Sequence, residues 1–250
     1  AEGKILYIGK ATSLRDRVRS YFSPDVFKTR GAHIVDMVFK AQTVTYQETM
    51  NALEALILEA NLIKKYKPYY NTKEKDDKSF NCVAITKSPP VGGFPMVILV
   101  RQKDIDIKNK TVRALRHSKP MSYDVIFGPY PKGSAIKEAL KILRPIFPFR
   151  DLASSKKDNT VFYRQIGLSP DITNKDAQIE YKKTIKRLKM VFQGKFQSLL
   201  KELKKEMLSL ANKQKFELAN VLKQKVFALE HIQDISLIKR DLESTVIGEE

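Results

Sequence analysis

Apolar and polar positions along the chain fall into three regimes. In the first, residues 1–88, short β-like runs mix with amphipathic helices. Ile5-Leu6-Tyr7-Ile8-Gly9 is a compact apolar run closed by a glycine and predicts a strand. Ser13, with Asp16 three residues on, predicts a capped helix start, the helix running through Phe22. Leu14, Val18 and Tyr21 or Phe22 recur at helical spacing, so one side faces a core and Arg15, Arg17 and Arg19 spread over the rest. Thr43-Val44-Thr45-Tyr46 predicts another strand, and the stretch from about Met50 to Tyr66 a longer helix that stops before Pro68.

Ser88-Pro89-Pro90-Val91-Gly92-Gly93 cannot continue a helix or a ladder and predicts a domain boundary. The second regime, residues 89–150, predicts a strand from Pro95 to Val100 and a charged hairpin or loop from Lys103 to Lys119. A turn at Phe127-Gly128-Pro129-Tyr130-Pro131 and a helix from about Ser134 to Leu143 follow. Residues 151–175 are polar and predicted irregular. From about Asp176 the pattern is helical, opening the helical part of the third regime, 151–250. Phe196, Leu199 or Leu200, Leu203, Met207 and Leu210 form one stripe; Phe216, Ala219, Leu222, Val226 and Leu229 form a second, with a turn at Ala211-Asn212-Lys213-Gln214. Two such helices bury too little alone, so the hairpin needs another surface, either the chain's own helix near 180–192 or an external helical partner. The expected fold class is α+β.

Composition narrows the function classes. No apolar run approaches the roughly 18 residues of a spanning helix, and the N-terminus lacks the order of a signal peptide, so a soluble, cytoplasmic protein with no membrane partner is expected. One cysteine, Cys82, excludes an internal disulfide and is expected to be a buried small hydrophobe. The formal net charge is +18, and residues 1–150 carry 27 Lys and Arg against 14 Asp and Glu, whereas residues 151–250 carry 19 against 14. That asymmetry points to nucleic acid as partner, bound mainly by the first part. Arg15, Arg19, Lys64 and Lys65 are the candidate DNA contacts.

His33, His117 and His231 are far apart without cysteine companions, so no zinc pattern exists, and no Gly-x-x-x-x-Gly-Lys loop is present. Glu59 is the most informative residue, because its helical neighbours Ala55, Leu56, Leu62 and Ile63 are all apolar. A carboxylate there needs compensation by a divalent cation or by a nearby Lys or Arg. Upstream, Tyr7 and Lys10 leave a strand at a tight turn, and Arg17 and Tyr21 share a helix face, so the four can converge. Tyrosine, cations and a metal-binding carboxylate together suit phosphodiester hydrolysis.

The run Tyr7-Ile8-Gly9-Lys10-Ala11, followed by Leu14, Arg17, Arg19, Ser20 and Tyr21, resembles the second half of a GIY-YIG nuclease signature. The stretch from Glu54 to Asn71 resembles the helix and loop of one branch, the C subunits of bacterial UvrABC excision-repair nucleases. Asp76-Asp77-Lys78-Ser79-Phe80, Phe127-Gly128-Pro129-Tyr130 and Ile146-Phe147-Pro148-Phe149-Arg150 fit the same family, and residues 199–234 resemble the UVR motif that docks on the B subunit. The resemblance implies a small GIY-YIG nuclease domain over 1–88, a mixed connector over 89–150 and a helical region ending in the UVR-type hairpin. It implies Glu59 as the only protein carboxylate on a catalytic Mg²⁺ or Mn²⁺, Tyr7 activating water, Lys10 and Arg17 holding phosphate charge, Tyr21 supporting the site and Asn71 closing it. Leu203, Met207, Phe216, Ala219 and Leu222 are the expected partner contacts.

The implied activity is incision of damaged double-stranded DNA 3′ to the lesion, in complex with the B subunit. The competing readings are a DNA- and B-subunit-binding fragment without turnover, and a stand-alone single-incision repair nuclease. The family's first Gly-Ile/Val-Tyr strand falls some ten residues before Tyr7, ahead of Ala1, and the second nuclease domain and helix-hairpin-helix module do not fit in the 16 residues after 234. No dual incision is therefore expected. Asp151, Thr160, Ser169 and Thr173 stand where many members carry four cysteines, so no iron–sulfur cluster is expected and the loop must hold itself by other contacts.

Overall fold

The computed structural model describes residues 3–72, 81–87, 94–113, 119–130, 133–155, 157–171 and 175–232. Local sequence signals place the helices of the N-terminal part. Helix α1 (Leu14–Arg19) starts at Ser13, whose hydroxyl accepts from the Asp16 amide at 3.3 Å. Helix α2 (Val26–Lys40), which no apolar periodicity predicts, is kinked at Gly31, where φ is 78°. Helix α3 (Ala52–Tyr66) opens on a reciprocal cap: Asn51 Oδ1 accepts from the Glu54 amide at 2.9 Å, and the Glu54 carboxylate accepts from the Met50 amide at 2.8 Å. It ends at Lys67, in the left-handed region just before Pro68, and a single turn, α4 (Tyr69–Thr72), follows.

Both strands expected in this part are absent: Ile5–Gly9 and Thr43–Tyr46 run without ladder partners among the described residues. Apolar alternation makes a strand only where an edge accepts its peptide groups. The Ile8 peptide finds a side chain instead, and Val44 and Tyr46 stay exposed.

An antiparallel sheet of five strands in the order β2-β1-β5-β4-β3 occupies the middle of the chain: β1 (Asn81–Thr86), β2 (Val97–Arg101), β3 (Ile105–Asp106), β4 (Thr111–Val112) and β5 (Met121–Tyr130). β3 and β4 are the charged hairpin that Lys103–Lys119 predicts. The expected turn at Phe127–Pro131 is corrected, because Val83 pairs with Phe127 and Asn81 with Tyr130. The sheet absorbs Gly128-Pro129 as an irregularity in register, a common place for residues that break a regular ladder. The predicted hinge, 88–93, lies outside the described residues, as does Thr173; β1 on one side of the hinge is the central neighbour of β2 and β5 beyond it.

Successive residues of β1 point to opposite faces, and both are covered. Val83 and Ile85 join the main core, shared with α3, α5 (Gly133–Ile146), α7 (Lys175–Phe192), α8 (Phe196–Asn212) and α9 (Phe216–Glu230). Cys82 and Ala84 join a smaller cluster with Ile98, Val100 and Val112. A third cluster, Ile34, Met37 and Tyr70, gathers Leu6, Tyr7 and Tyr21. The hairpin of α8 and α9 packs on the chain's own helices, so Leu203, Ala219 and Leu222 are buried, Met207 is partly buried and only Phe216 of the expected partner contacts is exposed. Leu208, Leu218, Val221 and Phe227 face outward instead.

Residues 151–175, expected irregular, contain helix α6 (Lys157–Gln165). Arg144 ties this segment down: it donates to Asp151 at 2.6 Å, to the Leu168 carbonyl at 2.9 Å and to the Phe149 carbonyl at 3.2 Å, and lies 4.9 Å from the ring centres of Phe149 and Tyr163. The guanidinium holds Asp151 below the usual carboxylate range against the opposing effect of burial. Arg144→Met should cost about 3 kcal/mol in urea unfolding, because three partly buried acceptors lose their donor together. Arg144→Lys should recover little, since one ammonium cannot reproduce the fork.

Burial also raises the Cys82 thiol to about 11, raises Tyr181 to about 12 and raises Tyr7 and Tyr130 well above the ordinary phenol range. A group whose folded pKa is raised stabilises the fold fully below its unfolded pKa. That stability is lost as pH climbs toward the folded value, because the unfolded chain releases the proton first. Thermal melts should therefore show an alkaline fall, setting in around pH 9 with Cys82 and steepening above pH 10 with the tyrosines.

Candidate active site

The site lies between the first described segment and α3. Helix α3 presents Leu53, Leu56, Ile57 and Ala60 to the main core, so Glu59 sits on a rigid support and looks into an open cleft of about 800 Å³. Lys10 is 7% exposed, and its Nζ lies 3.4 Å from Glu59 Oε2. The compensation that the apolar neighbours of Glu59 demand is thus supplied at least by a lysine.

Tyr7 lines the same cleft, and its hydroxyl accepts from Arg17 Nη2 at 3.3 Å. Its ring meets Tyr21 edge to face at 6.1 Å, and Arg17 and Arg30 lie 5.3 and 4.8 Å from the Tyr21 ring centre. Burial, reinforced by Tyr21 and only partly offset by Arg17, holds the Tyr7 hydroxyl well above the usual phenol range. Gly9 is required here: a Cβ at that position would come within 2.8 Å of the Tyr7 ring.

Asn71 stands behind the site. Its side-chain amide donates to the Ile8 carbonyl and accepts from the Ile8 amide, both at 2.8 Å, as a neighbouring strand would. Tyr70 N donates to the Leu6 carbonyl at 3.2 Å beside it. Asn71 is therefore a positioning residue that carries Tyr7 and Lys10, not a group facing the cleft. Asn71→Leu should lower turnover about tenfold to a hundredfold with a smaller change in DNA affinity, read as separate kcat and KM in a nicking assay.

Tyr7, Lys10, Glu59 and Arg15 line the cleft together, with Arg17 and Tyr21 packed behind Tyr7. Arg19, Lys64 and Lys65 are exposed, but none of them lines it. Sequence reasoning missed Arg30, placed by the unpredicted α2, and the aromatic rim of Tyr46 and Tyr66. The available signal was the tyrosine one turn beyond Leu62 on the Glu59 face.

Among the described residues no group of three or more His, Cys, Asp or Glu side chains converges as a metal cage. A single carboxylate at an open, water-accessible cleft fits a hard cation that keeps most of its own water, as Mg²⁺ does. Glu59 would hold such an ion.

A tyrosine and lysine turn, an arginine helix and a glutamate helix meet at one cleft of a mixed fold, and residues 1–72 match the family described as the UvrC-like GIY-YIG domain. Nearly the whole chain is similar to part of proteins named UvrABC system protein C. Those of Caldanaerobacter subterraneus subsp. tengcongensis and Carboxydothermus hydrogenoformans are each 34% identical over 98% and 99% of the chain, and that of Clostridium beijerinckii is 34% identical over 93%. The chain spans only about 38%, 38% and 35% of their respective lengths. No solved structure matches it. Among the described residues no helix is long and apolar enough to cross a membrane.

Proposed function

We propose that this chain carries the nuclease centre that nicks damaged double-stranded DNA on the 3′ side of a lesion in nucleotide excision repair, acting with the B subunit. The observation that supports this reading most is the meeting of Tyr7, Lys10 and Glu59 at one cleft, with Arg17 on the Tyr7 hydroxyl behind it, in a segment that matches the UvrC-like GIY-YIG domain. Lys10 and Arg15 attract a phosphate into the cleft, and Arg17 polarises the Tyr7 hydroxyl from behind. Neutral Tyr7 keeps a lone pair free to accept from the attacking water while its own proton stays on the oxygen. A Mg²⁺ or Mn²⁺ on Glu59 would supply Lewis acidity and lower the pKa of the attacking water. Specificity for damage is left to the partner, since phosphate contacts position DNA without reading bases.

Docking on the B subunit belongs in this reading to the outward face of the α8–α9 hairpin, around Phe216, Leu218 and Val221, because the inward stripe is already used. The test is a lesion-containing duplex preloaded with the B subunit, labelled at either end and incubated with the chain in Mg²⁺, Mn²⁺ or EDTA at low salt. A nick on the 3′ side that EDTA removes is expected. Binding without any nick would reduce the chain to a docking and DNA-binding unit. Phe216→Ser with Val221→Ser should abolish capture by the B subunit while leaving thermal stability unchanged.

A further inference from the structure

The turn that carries Tyr7 and Lys10 is gripped by a very short element. Helix α4 has only four residues, too few to hold a helical turn by themselves. It nevertheless makes hydrogen bonds along Leu6–Ile8: Tyr70 N donates to the Leu6 carbonyl at 3.2 Å, and the Asn71 side chain pairs with both groups of the Ile8 peptide at 2.8 Å. Among the described residues, the part of α2 beyond its kink at Gly31 gives α4 a bed. The Tyr70 ring, 3% exposed, clusters with Ile34 and Met37, and its centre lies 4.6 Å from that of the His33 ring. The Tyr70 hydroxyl donates to Asp36 Oδ2 at 2.6 Å, and Lys40 Nζ donates to the same oxygen at 2.8 Å. An apolar cluster holds a ring by shape alone, whereas a short charge-assisted bond also fixes its depth and direction. Asp36 does not line the cleft at Glu59, and its side chain is half exposed, so any effect on the reaction must pass through Tyr70.

We propose that Asp36 is a positioning residue for the incision: it holds the Tyr70 hydroxyl, Tyr70 and Asn71 hold Leu6–Ile8, and that segment sets Tyr7 and Lys10 against Glu59. The proposal rests on the nuclease reading and adds to it a residue of α2. Tyr7 and Lys10 stand one and two residues from Ile8, so a shift of α4 displaces both side chains at once. A misplacement of about 1 Å costs about a hundredfold in rate, and one lost anchor among several should bring about a tenth of that, a tenfold loss.

The test compares the full chain as wild type, Asp36→Ala, Asp36→Asn, Tyr70→Phe and the variant with both Asp36→Ala and Tyr70→Phe. Single-turnover nicking is followed with the chain and the B subunit in saturating excess over the lesion-containing duplex. Loss of folded protein then lowers the amplitude of the trace and not its rate constant, and weaker DNA binding is removed by saturation. Asp36→Ala and Tyr70→Phe should each lower the rate constant about tenfold, and together no further, because both break the same bond. Asp36→Asn, whose side-chain carbonyl still accepts from the tyrosine, should stay within about threefold of wild type. Hydrogen exchange at the Ile8 amide, which donates to Asn71, should run about tenfold faster in Asp36→Ala and Tyr70→Phe than in wild type or Asp36→Asn. The proposal is overturned by alanine and phenylalanine variants within about twofold of wild type, or by losses that multiply in the double variant. An asparagine variant as slow as the alanine one, or Ile8 exchange indifferent to Asp36, overturns it equally. In each of these cases Glu59-dependent nicking by wild type leaves the nuclease reading standing. A wild type that does not nick overturns the nuclease reading and the proposal with it.

Discussion

Glu59→Gln should lower nicking by about three orders of magnitude or more while leaving DNA binding within a few-fold of wild type. The amide is isosteric, so the α3 face keeps its shape and Leu58 and Leu62 keep their places in the cleft. What disappears is the negative charge beside Lys10. Two consequences separate a catalytic from a structural role. The Lys10 ammonium, only 7% exposed, loses the counter-charge 3.4 Å away, and the fold should weaken by about 1–3 kcal/mol. Adding Lys10→Met should restore that stability, because a largely buried charge is removed along with its lost partner. Nicking should not return, since neither the carboxylate nor the phosphate-binding cation is then present. The measurements are urea unfolding and single-turnover nicking of wild type, Glu59→Gln, Lys10→Met and the double variant. Recovery of activity with stability would mean that the Glu59–Lys10 pair serves only the fold, and the chemistry assigned to both side chains would fall.

The place of Glu59 in the candidate site was legible in the sequence because its environment was: four apolar neighbours at helical spacing mark a charge that needs a reason. The convergence of Tyr7, Lys10, Arg17 and Tyr21 was legible for a similar cause, a turn residue pair and a one-turn repeat on a capped helix. What failed was strand formation. Ile5–Gly9 and Thr43–Tyr46 have strand composition, yet neither has a ladder partner among the described residues, and the amide side chain of Asn71 serves the Ile8 peptide instead. Helix α2 escaped because Gly31 kinks it and Phe27 and Phe39 face outward, which blurs the apolar period. Helix α6 escaped because tertiary contacts, chiefly those of Arg144, outweigh its polar composition. In the hairpin, the stripe that resembles a docking surface is the one buried against α7 and the main core, a distinction that periodicity cannot make, since both kinds of face share the same spacing.

Tyr7→Phe should cut nicking about a hundredfold and alter the pH dependence in a way that identifies how the hydroxyl works. The ring would keep its edge-to-face contact with Tyr21 and its close fit over Gly9, so thermal stability at pH 7 should change by less than about 1 kcal/mol. What is lost is the acceptor for Arg17 and the hydroxyl's polar interaction with Tyr21. Burial holds the folded-state pKa of Tyr7 well above its usual value, so between pH 6 and 9 the side chain is a neutral phenol in essentially every molecule. A neutral phenol can accept from water and orient it, but it contributes no ionisation to the rate profile in that range. The log rate of wild type and of Tyr7→Phe should therefore rise with pH along parallel lines, separated by a constant factor, with the slope set by ionisation of the attacking water and not of the tyrosine. Lines that converge at low pH, with wild type alone gaining rate as pH rises, would mean that a tyrosinate is the working base. Tyr7 would then have to ionise far more readily in the DNA complex than in the free chain, and the cation delivering that change would have to act on the phenol oxygen itself. Arg17→Gln on the same pH series distinguishes the two cases: it should lower a parallel line further if Arg17 only polarises a neutral hydroxyl, and shift the midpoint of the wild-type rise upward if it stabilises a tyrosinate.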